Sequence, residues 1–307
     1  MTTMNNIIQR LRHPLPQDEL DTQIALIPLQ LVQDLEEEGR IDLTFTREHV
    51  AVLDAYMDHV MAIPTRREAF LQWLGYYRHP DPELDFYPMQ VLFHRINIHA
   101  DSWGRLKQKS IQLPIALINC ASSISLSGER ALLACERTKA LGGRREAWQG
   151  VQFEVPVQLD APDRTLVLEM ARWVANLRNS AGVFQFQVGE VRKETDRFRD
   201  DARFELRPAL GRKIERLVAS GTKEGNLGVL AQRMRNLVVR LEDVTTAASH
   251  LQTAWQFIET YLDASIGKLH SMQDSQQLAR FVIHFKNFLA QWSFIEECAR
   301  RLQKRLE

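Results

Sequence analysis

The chain has 307 residues, of which 45% are apolar and 25% charged, ordinary values for one large or two small folded domains. Its 39 lysines and arginines balance 39 aspartates and glutamates, so the broad positive field used by most nucleic-acid binders is missing. No stretch makes a good membrane span. Residues 110–128 carry no charge but include Gln112, Pro114, Asn119 and several serines, and the greasy stretch 278–294 contains Arg280 and Lys286.

The opening residues, MTTMNNIIQRLRHPLPQDELD, lack the apolar core of a signal peptide, which leads us to expect synthesis in the cytoplasm. The cysteines are Cys120, Cys135 and Cys298. If the first two share a helix they are roughly 22 Å apart, too far for a disulfide. Reduced core thiols are expected.

In chain order, 21–38 reads as a short helix. Thr46 is a plausible N-cap for a helix over 47–62, which Pro64 ends. A second short helix is expected within 66–77, and His79-Pro80-Asp81-Pro82 is a firm break. Residues 88–141 read as mostly helix, disturbed near Gly104 and at Pro114. Val151, Phe153, Val155, Val157 and Leu159 then alternate with polar residues or Pro156, the two-residue period of a strand. Pro156 confines any strand to an edge. The favoured reading is an extended connector packing its apolar side chains across the end of a bundle, with a hairpin as the alternative.

The second half carries the clearest pattern. Apolar residues recur in steps of three and four through Leu166, Met170, Trp173, Leu177, Ala181, Phe184, Val188 and Val191. The stripe continues through Phe198, Ala202, Leu206, Leu210, Ile214 and Leu217, with Pro208 as its one strong breaker, expected to kink the helix rather than end it. Ser220, Gly221, Lys223, Glu224, Gly225 and Asn226 form a polar turn. A second stripe runs from Leu227 through Leu241, Trp255 and Ile258 to Leu262, and a third from Leu278 through Phe281, Phe285 and Trp292 to Leu306, both with heptad spacing. Short links between long stripes imply antiparallel neighbours. The expected fold is all-α: an elongated antiparallel coiled-coil bundle. Short N-terminal helices in 1–85 would pack on a bundle of 86–307, with a stalk hairpin at about 160–272 and its tip turn at 219–228.

No motif carries chemistry. The nine histidines include no HExxH pair and no zinc-finger spacing with cysteine. Gly221, Gly225 and Gly228 near Lys223 match neither a P-loop nor GxGxxG. Ser127-Gly128 is not a nucleophile elbow, Glu36-Glu37-Glu38 is most simply a solvated helix end, and Arg144-Arg145 a charged loop. No cofactor, metal site or catalysis is expected.

The later stripes resemble a particular family. The series Trp255, Ile258, Tyr261, Ser265, Leu269, Leu278, Phe281, Phe285, Trp292 and Ile295 is similar to the C-terminal helices of the α-xenorhabdolysin family of binary α-pore-forming toxins, with the A-type subunit favoured over the B-type. The run from Phe198 through Leu206 and Pro208 to Lys213 resembles the segment before that family's membrane-proximal head, and His99 to Trp103 its first long helix. The resemblance covers roughly residues 90–306. It implies a cytolysin A-like fold, no catalysis, release to act outside the cell, and assembly with a second toxin subunit at a target membrane. One departure stands out. Where the A-type subunit carries an apolar insertion between its stalk helices, this chain has the polar turn 219–228, whose charged groups would each cost roughly several kcal/mol in hydrocarbon.

Two readings follow. In the first, the chain is an accessory or A-like subunit of a multicomponent cytolysin, homo- or hetero-oligomeric, reaching the membrane through a partner that does the spanning. In the second, it is a non-lytic coiled-coil interaction protein, either a scaffold or an inhibitor that mimics the toxin stalk.

Overall fold

A computed structural model describes residues 43–304. The expected helix at 21–38 and the acidic run at 36–38 lie outside the described residues, as does Leu306. Helix α1 is Arg47–Met61. Its start is set by Thr46, whose hydroxyl accepts from the His49 amide at 3.2 Å while His49 Nδ1 accepts from the Thr46 amide at 3.1 Å. This reciprocal pair is a capping box with histidine in the usual Glu/Gln place. Helix α2 is Arg67–Leu74, and a 3₁₀ turn, Pro82–Leu84, follows the proline-rich break.

Helix α3 spans 51 residues, Phe86–Glu136, and runs through Gly104 and Pro114 without a break. The disturbance expected at those two residues is therefore absent from the helix assignment. Pro114 withholds one amide, the one that would bond the Ser110 carbonyl, while Leu113, Leu117, Cys120, Ala121 and Ile124 around it are buried and keep the helix in place. The helix stops at Glu136 because the chain turns under the buried carboxylate of Asp163, which accepts from the Lys139 and Ala140 amides at 2.9 and 3.0 Å.

A short turn of helix, α4 (Trp148–Val151), leads to the alternating segment. Only the part from residue 155 onward is an extended connector, since Gln152 and Phe153 turn, with the Phe153 amide on the Gly150 carbonyl at 3.0 Å and the Glu154 amide on that of Val151 at 3.2 Å. Most of the segment's apolar side chains do not pack across the bundle. Val151 and Leu159 are buried, whereas Phe153, Val155 and Val157 are 84%, 83% and 60% exposed. Among the described residues the connector makes a single β-bridge, Gln158 to Asp274, so no sheet exists to bury its apolar face. Helix α5 (Ala161–Asp200) passes into a π-helical segment, Asp201–Leu206, and then into α6 (Arg207–Ala219). Helix α7 is Gly225–Ser271 and α8 is Ser275–Lys304.

The described residues group into two compact units, and α3, α5 and α7 contribute to both. The division falls within these helices. In the unit of 112–189 and 249–304, Arg178 pairs with Asp263, Phe184 packs against Trp255 with ring centroids 4.4 Å apart and planes tilted by 48°, and Gly189 faces Gln252. Partner numbers fall as these rise, so α5 and α7 run antiparallel here. Tyr261 meets Phe288 and Trp255 meets Trp292 across α7 and α8, giving a second antiparallel pair. The unit's core is this aromatic ladder, with Trp255, Trp292, Phe285 and Phe288 fully buried. In the unit of 44–111 and 190–248, Arg199 reaches Thr245 and Arg203 reaches Glu242, again antiparallel. Helices α1 and α2 pack on this unit's own section of α3 through Tyr56–His99 and Phe70–Phe93 ring contacts.

Candidate functional site

The polar turn is built to stop one long helix and start the next. Ser220 caps α6, and Gly221 takes the left-handed conformation with φ of 82°. The Thr222 amide bonds the Leu217 carbonyl at 3.2 Å and the Gly221 amide bonds that of Val218 at 2.9 Å. These two bonds form a Schellman motif, and glycine suits the position because a Cβ penalises positive φ.

The turn is not bare. The segment from Trp73 to Glu83 lies against it. Asn226 Nδ2 donates to the Trp73 carbonyl at 2.6 Å, and His79 Nε2 lies 2.9 Å from Ser220 Oγ. Arg216 pairs with Asp81 at 2.9 Å, and Lys213 donates to the Glu83 carboxylate at 2.8 Å and to its carbonyl at 2.6 Å. The hydrogen bond from Arg216 holds the Asp81 carboxyl below its ordinary range, and that from Lys213 does the same for Glu83. Lys223 and Glu224 are exposed.

A second feature lies in the same unit. His99 is buried and uses both ring nitrogens, Nδ1 at 3.0 Å from the Tyr56 hydroxyl and Nε2 donating to the Phe198 carbonyl at 2.9 Å. Its ring stacks on Phe198 with centroids 4.0 Å apart. Nε2 carries a proton, and in the neutral ring Nδ1 accepts from the Tyr56 hydroxyl. Burial lowers the His99 pKa, the bond to Phe198 and the nearby Asp201 opposing it. Three residues beyond Phe198 the ladder changes to the π register, where the Arg207 amide bonds the Ala202 carbonyl. A groove of about 370 Å³ runs alongside, lined by His99, Arg105, Arg197, Phe198, Asp201 and Leu206 among others.

Of the residues singled out in the sequence, Phe198 and Leu206 are buried beside this groove, while Trp255, Ile258, Tyr261, Phe281, Phe285 and Trp292 are buried in the aromatic core of the other unit. Pro208 does not end the helix, which continues through it. It is exposed, in the first turn of α6, and the strain of its missing amide is taken up by the π segment just before it. All three cysteines are free and buried. Burial pushes the Cys120 thiol up to about 12, so these thiols are packing groups. Among the described residues no group of three or more His, Cys, Asp or Glu is placed to hold a metal ion. Sequence reasoning missed the docking of 73–83 on the turn and the His99 node, because opposite charges more than a hundred residues apart leave no periodic signal.

Long antiparallel helices, a Schellman-type polar turn and short helices ahead of them define an all-α helical bundle. The particular likeness is to YaxA from Yersinia enterocolitica, at a TM-score of 0.53 and 17% identity over 85% of this chain and 97% of that one. XaxA from Xenorhabdus nematophila matches at 18% identity over 86% of this chain and 97% of that one, with a TM-score of 0.38. The XaxAB pore complex from the same organism matches at 18% identity, 87% and 97% coverage and a TM-score of 0.36. No family model and no curated protein matches the sequence.

Proposed function

We propose that this chain is an accessory, A-like subunit of a multicomponent α-pore-forming cytolysin, acting beside a partner subunit that does the spanning. The fold shared with YaxA supports the reading, as does the family-like aromatic series now seen as one core. The observation that carries it is the turn between α6 and α7. It is polar, closed by a Schellman motif, and flanked by two ion pairs and the Asn226–Trp73 hydrogen bond. Moving Lys223 and Glu224 into hydrocarbon would cost about 3 kcal/mol each at the bilayer centre. Among the described residues one helix, α3, contains a window apolar enough to cross a membrane, but half of that window is buried inside the protein.

Dye-loaded vesicles or erythrocytes test the proposal. The purified chain alone should release little, and the chain together with the product of the adjacent reading frame should release far more than either component alone. No gain from the pair contradicts the subunit reading. A fall in lysis on adding the chain would favour the inhibitor reading, which the polar turn also suits.

A further inference from the structure

We infer that the second half of helix α1, residues 55–61, is an acid-opened flap, held shut by two histidines only while both are uncharged. The inference concerns the unit of 44–111 and 190–248 by itself and does not depend on the proposed toxin role.

The first histidine is His99, which the flap covers through Tyr56, with ring centroids 5.7 Å apart and the hydroxyl 3.0 Å from Nδ1. Nε2 already donates to the Phe198 carbonyl. A second proton must therefore go to Nδ1, where it meets a hydroxyl that was donating, in a site only 5% exposed. The groove on the other side presents Glu194, Arg197, Asp201 and Glu205 from α5 and its π segment, and Arg95 and Arg105 from α3. Glu194 and Glu205 are already paired, with Lys109 and Arg95. Asp201 is exposed to water, which screens what it offers a buried charge.

The second histidine, His59, is in the flap itself. Its Nε2 is buried and has no hydrogen-bond partner among the described residues, and its ring lies against Trp73 of α2 with centroids 6.3 Å apart. The charged group facing it is Arg233 of α7, whose Nη1 donates to the flap's Ala55 carbonyl at 3.3 Å. A proton on His59 sets two cations together and leaves Nε2 a buried donor with no acceptor. Burial favours the neutral form of both rings. The first half of α1 is held differently. Asp54 accepts from Trp103 Nε1 at 2.8 Å and pairs with Lys107 at 2.9 Å, and Glu48 pairs with Arg240, with no imidazole taking part. His49 faces an acid, Asp243, at 3.8 Å, and is no part of the device. Acid therefore loosens α1 from about residue 55 onward and uncovers Tyr56, Val60 and the His99 ring.

Amide hydrogen exchange of the full chain, read by mass spectrometry at pH 7.5 and 5.5 with labelling times scaled for the intrinsic rate, tests this. Each proton that the closed flap refuses favours opening by about tenfold per pH unit below the ordinary histidine value. Protection over 55–61 should therefore fall at least about tenfold, while 47–54 and helix α8 keep theirs. His59→Gln and His99→Gln should each shrink that fall at least about threefold, and the double variant should abolish it. His59→Gln, at a half-buried position, decides the matter if His99→Gln has already lost protection at pH 7.5. No fall over 55–61 overturns the proposal, as does an equal fall at 47–54 or throughout the chain. An undiminished fall in His59→Gln overturns it too.

Discussion

At the scale of single residues, the most consequential side chain is His99. In its neutral form the ring donates to Phe198 and accepts from Tyr56, and protonation of Nδ1 would reverse the second bond and bury a charge. The charged groups nearest it are Asp201 beyond Phe198 and, around the groove, Glu194, Glu205, Arg95, Arg105 and Arg197. The folded pKa is lowered, and the sign follows. Above the unfolded histidine value, about 6.5, neither state holds the proton. As the pH falls below it the unfolded chain binds a proton that the folded chain refuses, and stability drops until the folded value is reached. The thermal midpoint should therefore decline as the pH falls from about 6.5, and His99→Gln should flatten that slope. Some slope should remain from His59, whose pKa is also lowered, by burial and then by Arg233. A slope unchanged in His99→Gln would remove His99 from this account.

At the scale of elements, legibility tracks periodicity. Thr46 as a cap and the stripes of α5, α7 and α8 were readable because each residue type had one local job. The π segment was not read from the sequence, although the run Phe198, Ala202, Leu206, Leu210 accounts for it. Each step of four overshoots an α-turn by about 40°, and a wider turn absorbs the drift while keeping all four buried. Pro208 was expected to disturb the helix without ending it, and the helix does continue through it. It sits exposed, so Pro208→Ala should change stability by less than about 1 kcal/mol, whereas Trp292→Ala in the aromatic ladder should cost about 3–5 kcal/mol. Denaturant unfolding of both variants checks the contrast, and a large loss from Pro208→Ala would contradict it. The connector misled for a different reason. Alternation at 151–159 reports the period of an extended chain, but burial of its face needs a sheet, and only one bridge is present among the described residues.

At the scale of the whole molecule, the candidate site was half legible. The polar turn was readable from Ser220 to Asn226 by composition, but not the Trp73–Glu83 segment that lies against it, since no local pattern couples Asp81 to Arg216 or Glu83 to Lys213. That docking turns a merely polar loop into a braced one, and the central claim is that this braced turn stays in water while a partner crosses the membrane. The most direct test attaches an environment-sensitive fluorophore at Lys223→Cys. The native thiols Cys120, Cys135 and Cys298 are buried, so labelling should fall on the new site. In a lytic mixture of labelled chain, partner and vesicles, the emission should stay that of a water-exposed probe. A blue-shifted emission quenched by lipid-phase nitroxides would put the turn inside the bilayer and contradict the account.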